Sequence, residues 1–245
     1  MPKLEPYSKK LDYSYCLGLY PCLTLMETRP DCALRLLISE DADGNEGVTR
    51  LREVCARANV REEQAGRVLK RESGKENCFA GLVFKKYSCA LESDKPHAVL
   101  NRISDSGNLG TICRAAVGFG YKNVAVIKPC VDIFDPHVPR SSMGALFRLN
   151  INVFDSFDEY LSQYPDRELY PFMLDGACDL GVAAEKAGKR HSLIFGNEAT
   201  GLPAEFSRIG QPVKIRQSSE IDSLNLAVAA SIAMYSFSYA QGGNL

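Results

Sequence analysis

From residue 97 onward, short apolar runs return at intervals with helical stretches between them: AVLNRI (Ala98 to Ile103), NVAVI (Asn123 to Ile127), LYPFML (Leu169 to Leu174), SLIF (Ser192 to Phe195) and PVKI (Pro212 to Ile215). Such alternation predicts an α/β fold with a mostly parallel sheet flanked by helices. In that architecture ligands collect where strand C-termini meet loops and helix N-termini. The loops after Ile103, Phe195 and Ile215 are therefore the ones to read.

The 245 residues, 45% of them hydrophobic and 24% charged, suffice for one large domain or two modest ones. Two are expected. Before residue 90 the texture is that of a small α/β unit, with strand-like LRLLIS (Leu34 to Ser39) and then Val48, Leu51, Val54, Cys55 and Ala58 on one helical face. The polar LESDKPH (Leu91 to His97), with Pro96, reads as a linker. This places the domains at 1–92 and 93–245. A formal net charge of -1 excludes a strongly basic field, although a local patch on a neutral protein still suffices to hold a nucleic-acid backbone. Nine scattered cysteines without a Cys-x-x-Cys pair, and three histidines (His97, His137, His191), argue against a disulfide framework and against a metal site. A reducing cytoplasm fits. MPKLEPYSKKLDYSY has no apolar core for a signal peptide or anchor. The stretch Leu224 to Ala240 is too short and too often interrupted by Asn and Ser for a membrane span, and reads as a buried helix.

In ISDSGNLGTICRAAVGFGY (Ile103 to Tyr121), Leu109, Ile112, Cys113, Ala116 and Val117 form an apolar stripe, and Asp105 to Asn108 give the helix-start signal. Asn108 and Arg114 lie off that stripe, either facing a cleft that takes an anion or serving as a cap and a solvated arginine. In SLIFGNEATGLP (Ser192 to Pro203), two glycines frame four residues as in a phosphate loop, but Leu202-Pro203 stands where Lys-Ser/Thr belongs and Glu198 sits in the middle. A glutamate there suits a cation or a ribose hydroxyl; alternatively the glycines permit a tight turn and Glu198 favours the first turn of a following helix. In IRQSSEIDSLNLAVAASIAMYSF (Ile215 to Phe237), Asp222 or Ser223 is expected to cap a long apolar helix whose first turn carries Leu224 and the polar Asn225. Asn225 is out of place before turns that are apolar almost all round, and the stretch reads equally as a capped core helix with one satisfied amide.

Taken in chain order, DSGNLGTICRAA with Asn108 and Arg114, LIFGNEATGL with Asn197 and Glu198, and IRQSSEIDSLNLAVAA with Ser223 and Asn225 resemble the three signature motifs of the SpoU/TrmH family of RNA methyltransferases, in the SPOUT class. SSMGALFRL (Ser141 to Leu149) is similar to the stretch the family carries between the first two. The resemblance runs from about residue 97 to the C-terminus. Ser106 and Arg216 stand where proline is usual, and Leu226-Ala227 replace the commoner Val-Ser.

The resemblance implies a small N-terminal RNA-binding domain, a Rossmann-like domain whose C-terminal segment forms a trefoil knot, and a homodimer that buries the second face of the last helix. It implies S-adenosylmethionine as cofactor, wrapped by Gly196, Asn197, Ile215 and Leu224, and methyl transfer to a ribose 2′-hydroxyl of structured RNA, rRNA ahead of tRNA. Arg114, Asn108, Glu198, Ser223 and Asn225 would form the catalytic set. Arg140, Arg148 and Lys214, with Lys70, Arg71 and Lys75 of the first domain, are candidates for the RNA backbone. A silent RNA-binding or ribosome-assembly protein and a base N-methyltransferase are the alternatives. A dinucleotide-dependent oxidoreductase is disfavoured, because no G-x-G-x-x-G follows a strand.

Overall fold

The computed structural model describes residues 4–242, so Met1, Pro2 and Lys3 of the N-terminal stretch lie outside the described residues. Its contacts divide the chain into two compact units, one comprising residues up to 87 together with 132–148, the other 88–131 and 149 onward.

The first unit opens with β1 (Tyr13–Leu17), α1 (Leu19–Thr28), β2 (Ala33–Ile38), α2 (Glu46–Arg57), β3 (Arg61–Gln64), α3 (Gly66–Ser73) and β4 (Ala80–Lys85). Its sheet runs β1-β4-β2-β3, with β4 antiparallel to both neighbours and β3 parallel to β2. The expected helical face is present in α2, where Val48, Leu51 and Cys55 are buried and Asn45 caps the start by accepting the Val48 amide at 3.2 Å. Ala58 falls just past the helix end and is exposed.

Residues 132–148, including α5 (His137–Ser141), complete this unit. Phe134 and Phe147 are buried there, each meeting the Phe84 ring edge-on, at 5.7 and 5.3 Å between centroids. The expected single cut at residue 92 is thus replaced by an early boundary near 87 and an excursion. The supposed linker is built in: Leu91 is buried in the second unit's core, its amide donating to the Tyr164 hydroxyl at 3.0 Å, and Arg167 donates to the Ser93 and Lys95 carbonyls. A polar stretch fooled the reading because its side chains face water while its backbone is held.

In the second unit, β5 (His97–Asn101), β6 (Asn123–Ile127), β7 (Asn150–Phe154), β8 (Glu168–Pro171) and β10 (His191–Phe195) form a wholly parallel sheet in the order β7-β6-β5-β10-β8. Every residue of β5, β6 and β10 is buried, which is why they read as continuous apolar runs rather than alternating ones. The expected strand PVKI is β11 (Val213–Lys214), which pairs instead with the short β9 (Cys178–Asp179) outside the main sheet. Around the sheet lie α4 (Ser106–Gly118), α6 (Phe157–Gln163), α7 (Leu180–Lys186) and α8 (Leu226–Ala240), with α8 packed on α4 and α7. No helix among the described residues is long and apolar enough to cross a membrane.

Strand order fixes where function can sit. From β5 the chain lays β6 and β7 to one side, then β8 and β10 to the other. The sheet therefore switches direction between β5 and β10, and the crevice at their C-terminal ends is the favoured ligand position.

Candidate functional site

Two loops leave the sheet at that switch point, Arg102 to Asp105 after β5 and Gly196 to Gly201 after β10. The second is closed on itself by reciprocal backbone bonds between Asn197 and Gly201, at 3.2 and 2.9 Å. Glycine is required at both ends. A Cβ on Gly196 would collide with the Gly201 carbonyl carbon and the Leu202 amide, and Gly201 has φ +67°. Inside the loop the Asn197 side-chain oxygen accepts the Ala199 and Thr200 amides at 2.9 and 3.3 Å, an Asx-type turn. The Asn197 amide group donates outward to the Arg102 carbonyl at 2.8 Å.

Glu198 does not begin a helix of its own. Its carboxylate crosses to the other loop and accepts from the Ser104 amide (3.2 Å), the Ser104 hydroxyl (2.8 Å) and the Asp105 amide (3.1 Å). The side-chain amides of Asn108 and Asn197 donate to it as well, at 3.3 and 3.2 Å. Five donors meet a group with about four lone-pair sites. Partial burial would raise the carboxyl's proton affinity, but the bonds from its own amide, Ser104 and Asp105 outweigh this and hold it below the usual carboxylate range. Glu198 is thus held ionised at the start of α4 and does not open a following helix, while still lining the crevice.

Asp105 caps α4, its carboxylate accepting the Asn108 amide at 2.6 Å. Asn108 sits at the third helical position and joins three segments, donating to Glu198 and accepting from the Asn225 side chain at 3.1 Å. Asn225, not Asp222 or Ser223, caps α8, accepting the Ala227 and Val228 amides at 2.8 and 3.3 Å. The helix starts later than expected because residues 223–225 still lie outside it, Ser223 and Leu224 lining the crevice. Two helix N-termini and the β10 loop are thereby tied through one chain of side chains.

Beside this chain opens a cavity of about 480 Å³. Gly196, Asn197, Ile215 and Leu224 all line it, as do Glu198 and Ser223. Phe172, Leu226 and Ala229 add apolar wall, and Thr200, Ser207 and Gln217 add polar atoms. Asn108, Arg114 and Asn225 are not among its lining residues. Arg114, on α4, is exposed and has no hydrogen-bond or ion-pair partner among the described residues. Of the residues now in the network, Ser104 was missed by sequence reasoning; its place directly after the apolar run AVLNRI was the available signal.

The candidate backbone-binding cations are already engaged for the most part. Arg148 pairs with Glu27 at 2.5 Å, Lys70 with Glu76 at 2.5 Å and Arg71 with Glu72 at 2.6 Å. Arg140 and Arg148 belong to the first unit, not to the second as the sequence suggested, because the excursion carries them there. Among the described residues no cluster of His, Cys, Asp and Glu is arranged to hold a metal.

A model of the SpoU rRNA Methylase family matches residues 95–235. An uncharacterized tRNA/rRNA methyltransferase of Synechocystis sp. is 31% identical over 148 residues, which are 58% of this chain and 54% of that protein. The human mitochondrial rRNA methyltransferase 3 is 38% identical over 94 residues, 37% of this chain and 21% of that one. The chain thus spans about half or less of the length of these curated relatives. The SpoU methyltransferase AviRb of Streptomyces viridochromogenes, solved in complex with AdoMet, superposes with a TM-score of 0.79 over 94% of this chain and 91% of its own, at 21% identity. That likeness is one of fold.

Proposed function

The chain belongs to the SpoU rRNA Methylase family, and from that premise we propose that it transfers a methyl group from S-adenosylmethionine to a ribose 2′-hydroxyl of structured RNA. The observation that carries the proposal is the cavity at the β5/β10 switch point, joined to α4 through Glu198, Asn108 and Asn225. Its residues fit the cofactor. A volume of about 480 Å³ lies in the range of small-molecule sites, and a wall of apolar residues interrupted by a few polar ones suits an adenosine group bearing a charged end. AviRb, of the same fold, is described with AdoMet bound. Gly196, Asn197, Ile215 and Leu224 would hold the cofactor, which supplies an electrophilic methyl group; Ser223 would shape the same wall.

The chain's own part is alignment and charge. A guanidinium has five donors and no acceptor, so Arg114 cannot take the hydroxyl's proton. In this proposal it binds a neighbouring phosphate and stabilises negative charge developing on the attacking oxygen, for which its exposure and lack of a partner leave it available. Asn108 and Glu198 fix the start of α4 and hence the position of Arg114. A ribose 2′-hydroxyl as acceptor also selects RNA over DNA. Ribosomal RNA is favoured: the more identical human relative is an rRNA methyltransferase, and the Synechocystis relative is described for both RNAs. The cytoplasmic setting, the homodimer and the trefoil knot belong to the same proposal. Support for the knot is that β10 lies between β5 and β8, both earlier in the chain, while segments 196–202 and 213–226 share one cavity.

Calorimetric titration with S-adenosylmethionine, with NADH as control, tests the cofactor. Saturable binding at one site per chain, weakened by Gly196→Val, is expected. Digestion of methylated RNA to nucleosides then separates a ribose product from a base product. Absence of S-adenosylmethionine binding even with RNA present would overturn the methyl-transfer reading in favour of a silent RNA-binding protein.

A further inference from the structure

The first unit holds a cavity of its own, of about 180 Å³, where Tyr7, Glu72 and Ser73 face Asp135, His137 and Arg140 of the excursion. Its charges are arranged unusually. Arg140 donates through Nη1 to the Ser73 carbonyl at 3.1 Å and has no carboxylate within ion-pair distance among the described residues, although two carboxylates line the same small space. Glu72 is occupied, one oxygen by the Tyr7 amide at 3.2 Å and the other by Arg71 at 2.6 Å. Asp135 accepts the His137 amide at 2.8 Å through Oδ1, and its Oδ2 has no partner among the described residues. The Tyr7 ring is fixed by its hydroxyl, which donates to Asp132 at 2.7 Å.

A guanidinium with spare donors and a carboxylate with a spare acceptor thus share one cavity without meeting. A ligand held between them would present acceptors to the guanidinium and donors to the carboxylate. Phosphate fails, because the two carboxylates repel it. A whole nucleotide or cofactor fails on size, since such sites begin at roughly 300 Å³. An unstacked nucleobase fits, with the rings of Tyr7 and His137 among the lining residues. Among the four bases guanine alone carries two adjacent acceptors, O6 and N7, on one edge and two adjacent donors, N1–H and the 2-amino group, on another. We infer that this cavity reads an unstacked guanine of the RNA substrate, Arg140 taking the O6/N7 edge and Asp135 the N1–H/2-amino edge. The inference rests on the RNA substrate proposed above and adds a base-reading site remote in sequence from the methyl-transfer motifs.

The test is fluorescence anisotropy of the full chain with dye-labelled nine-nucleotide oligouridylates carrying one central guanosine, inosine, 7-deazaguanosine or adenosine. Guanosine should bind about tenfold tighter than adenosine, in keeping with the discrimination of one bidentate pair, and the two analogues should fall between. Asp135→Asn should abolish the advantage of guanosine over inosine, and Arg140→Lys that over 7-deazaguanosine. Both replacements are conservative, and their melting temperatures should stay near the parent's. Equal binding of the four oligonucleotides, or an unchanged preference in both variants, overturns the inference. So does displacement by free guanosine monophosphate at concentrations below the oligonucleotide's own Kd, which would make the cavity a nucleotide site. The same preparation titrated with S-adenosylmethionine separates the two proposals: guanine preference without cofactor binding sinks the methyl-transfer reading alone, and the reverse sinks this one alone.

Discussion

Glu198 draws donors from both switch-point loops and from the first turn of α4. Replacing it with Gln turns one acceptor oxygen into a donor facing those donors. Hydrogen bonds to a charged group contribute about 1.5–3 kcal/mol, so Glu198→Gln is expected to raise the Kd for S-adenosylmethionine at least tenfold by calorimetry and to lower the melting temperature. An unchanged Kd would mean that the loop holds its shape without the carboxylate. The sequence marked this residue but not its partners, since backbone amides ninety positions away leave no trace in a motif. A second residue-scale prediction concerns acid. His97 is buried, with Nδ1 against the Tyr160 hydroxyl at 2.8 Å and Nε2 against the Glu92 carbonyl at 2.9 Å. Burial first, and the Arg167 charge second, push its pKa down to about 4. Because the folded value lies below the unfolded 6.5, the unfolded chain binds the proton more readily. Stability is then full above about pH 6.5 and falls by up to about 3 kcal/mol as the pH drops through 4. Denaturant melts between pH 7 and 4 check this, and His97→Gln should flatten the profile.

Helix α8 shows what periodicity reveals about an element and what it conceals. Its apolar character was plain, but its first residue was not, because Asp222, Ser223 and Asn225 are all good caps and only the fold chooses between them. Asn225 does two things: its oxygen caps α8 and its amide group holds Asn108. Asn225→Asp keeps the cap and loses the donor, whereas Asn225→Ala loses both at a cost of about 1 kcal/mol from the cap. Urea melts should therefore rank Asp above Ala, while methyl transfer should fall in both. The strand β7 was missed because NINVF alternates Asn with apolar residues, unlike its buried neighbours. Along α8, Val228, Tyr235 and Tyr239 remain 47%, 52% and 72% exposed. Under the homodimer proposal this face is the interface, and Tyr239→Arg is expected to shift sedimentation toward the monomer.

At the scale of the whole molecule, the central strands of the parallel sheet and the loops at its switch point were legible from residue 97 onward, because β5, β6 and β10 are buried on both faces and each loop carries a motif. The division into units was not. The excursion 132–148 is inserted between β6 and β7 yet packs its aromatic residues into the first unit, and a partner ring distant in sequence cannot be read from local composition. Phe134→Ala and Phe147→Ala are each expected to lower stability by about 3–5 kcal/mol in denaturant titration. A chain lacking residues 1–87 should bind hydrophobic dye and melt without cooperativity. Replacing 132–148 by a short polar turn in that fragment should restore a sharp transition.

Such an excursion also bears on inheritance. A first unit confined to one stretch of chain can be lost, gained or traded by a single recombination event. Here a foreign replacement would have to bring its own version of residues 132–148, which lie between the strands of the other unit, so a crossover near codon 90 is expected to leave those residues mismatched. An exchange that kept 132–148 without its partner ring would leave Phe134 and Phe147 unmatched, so sequence variation at Phe84 should track variation at both across the lineage.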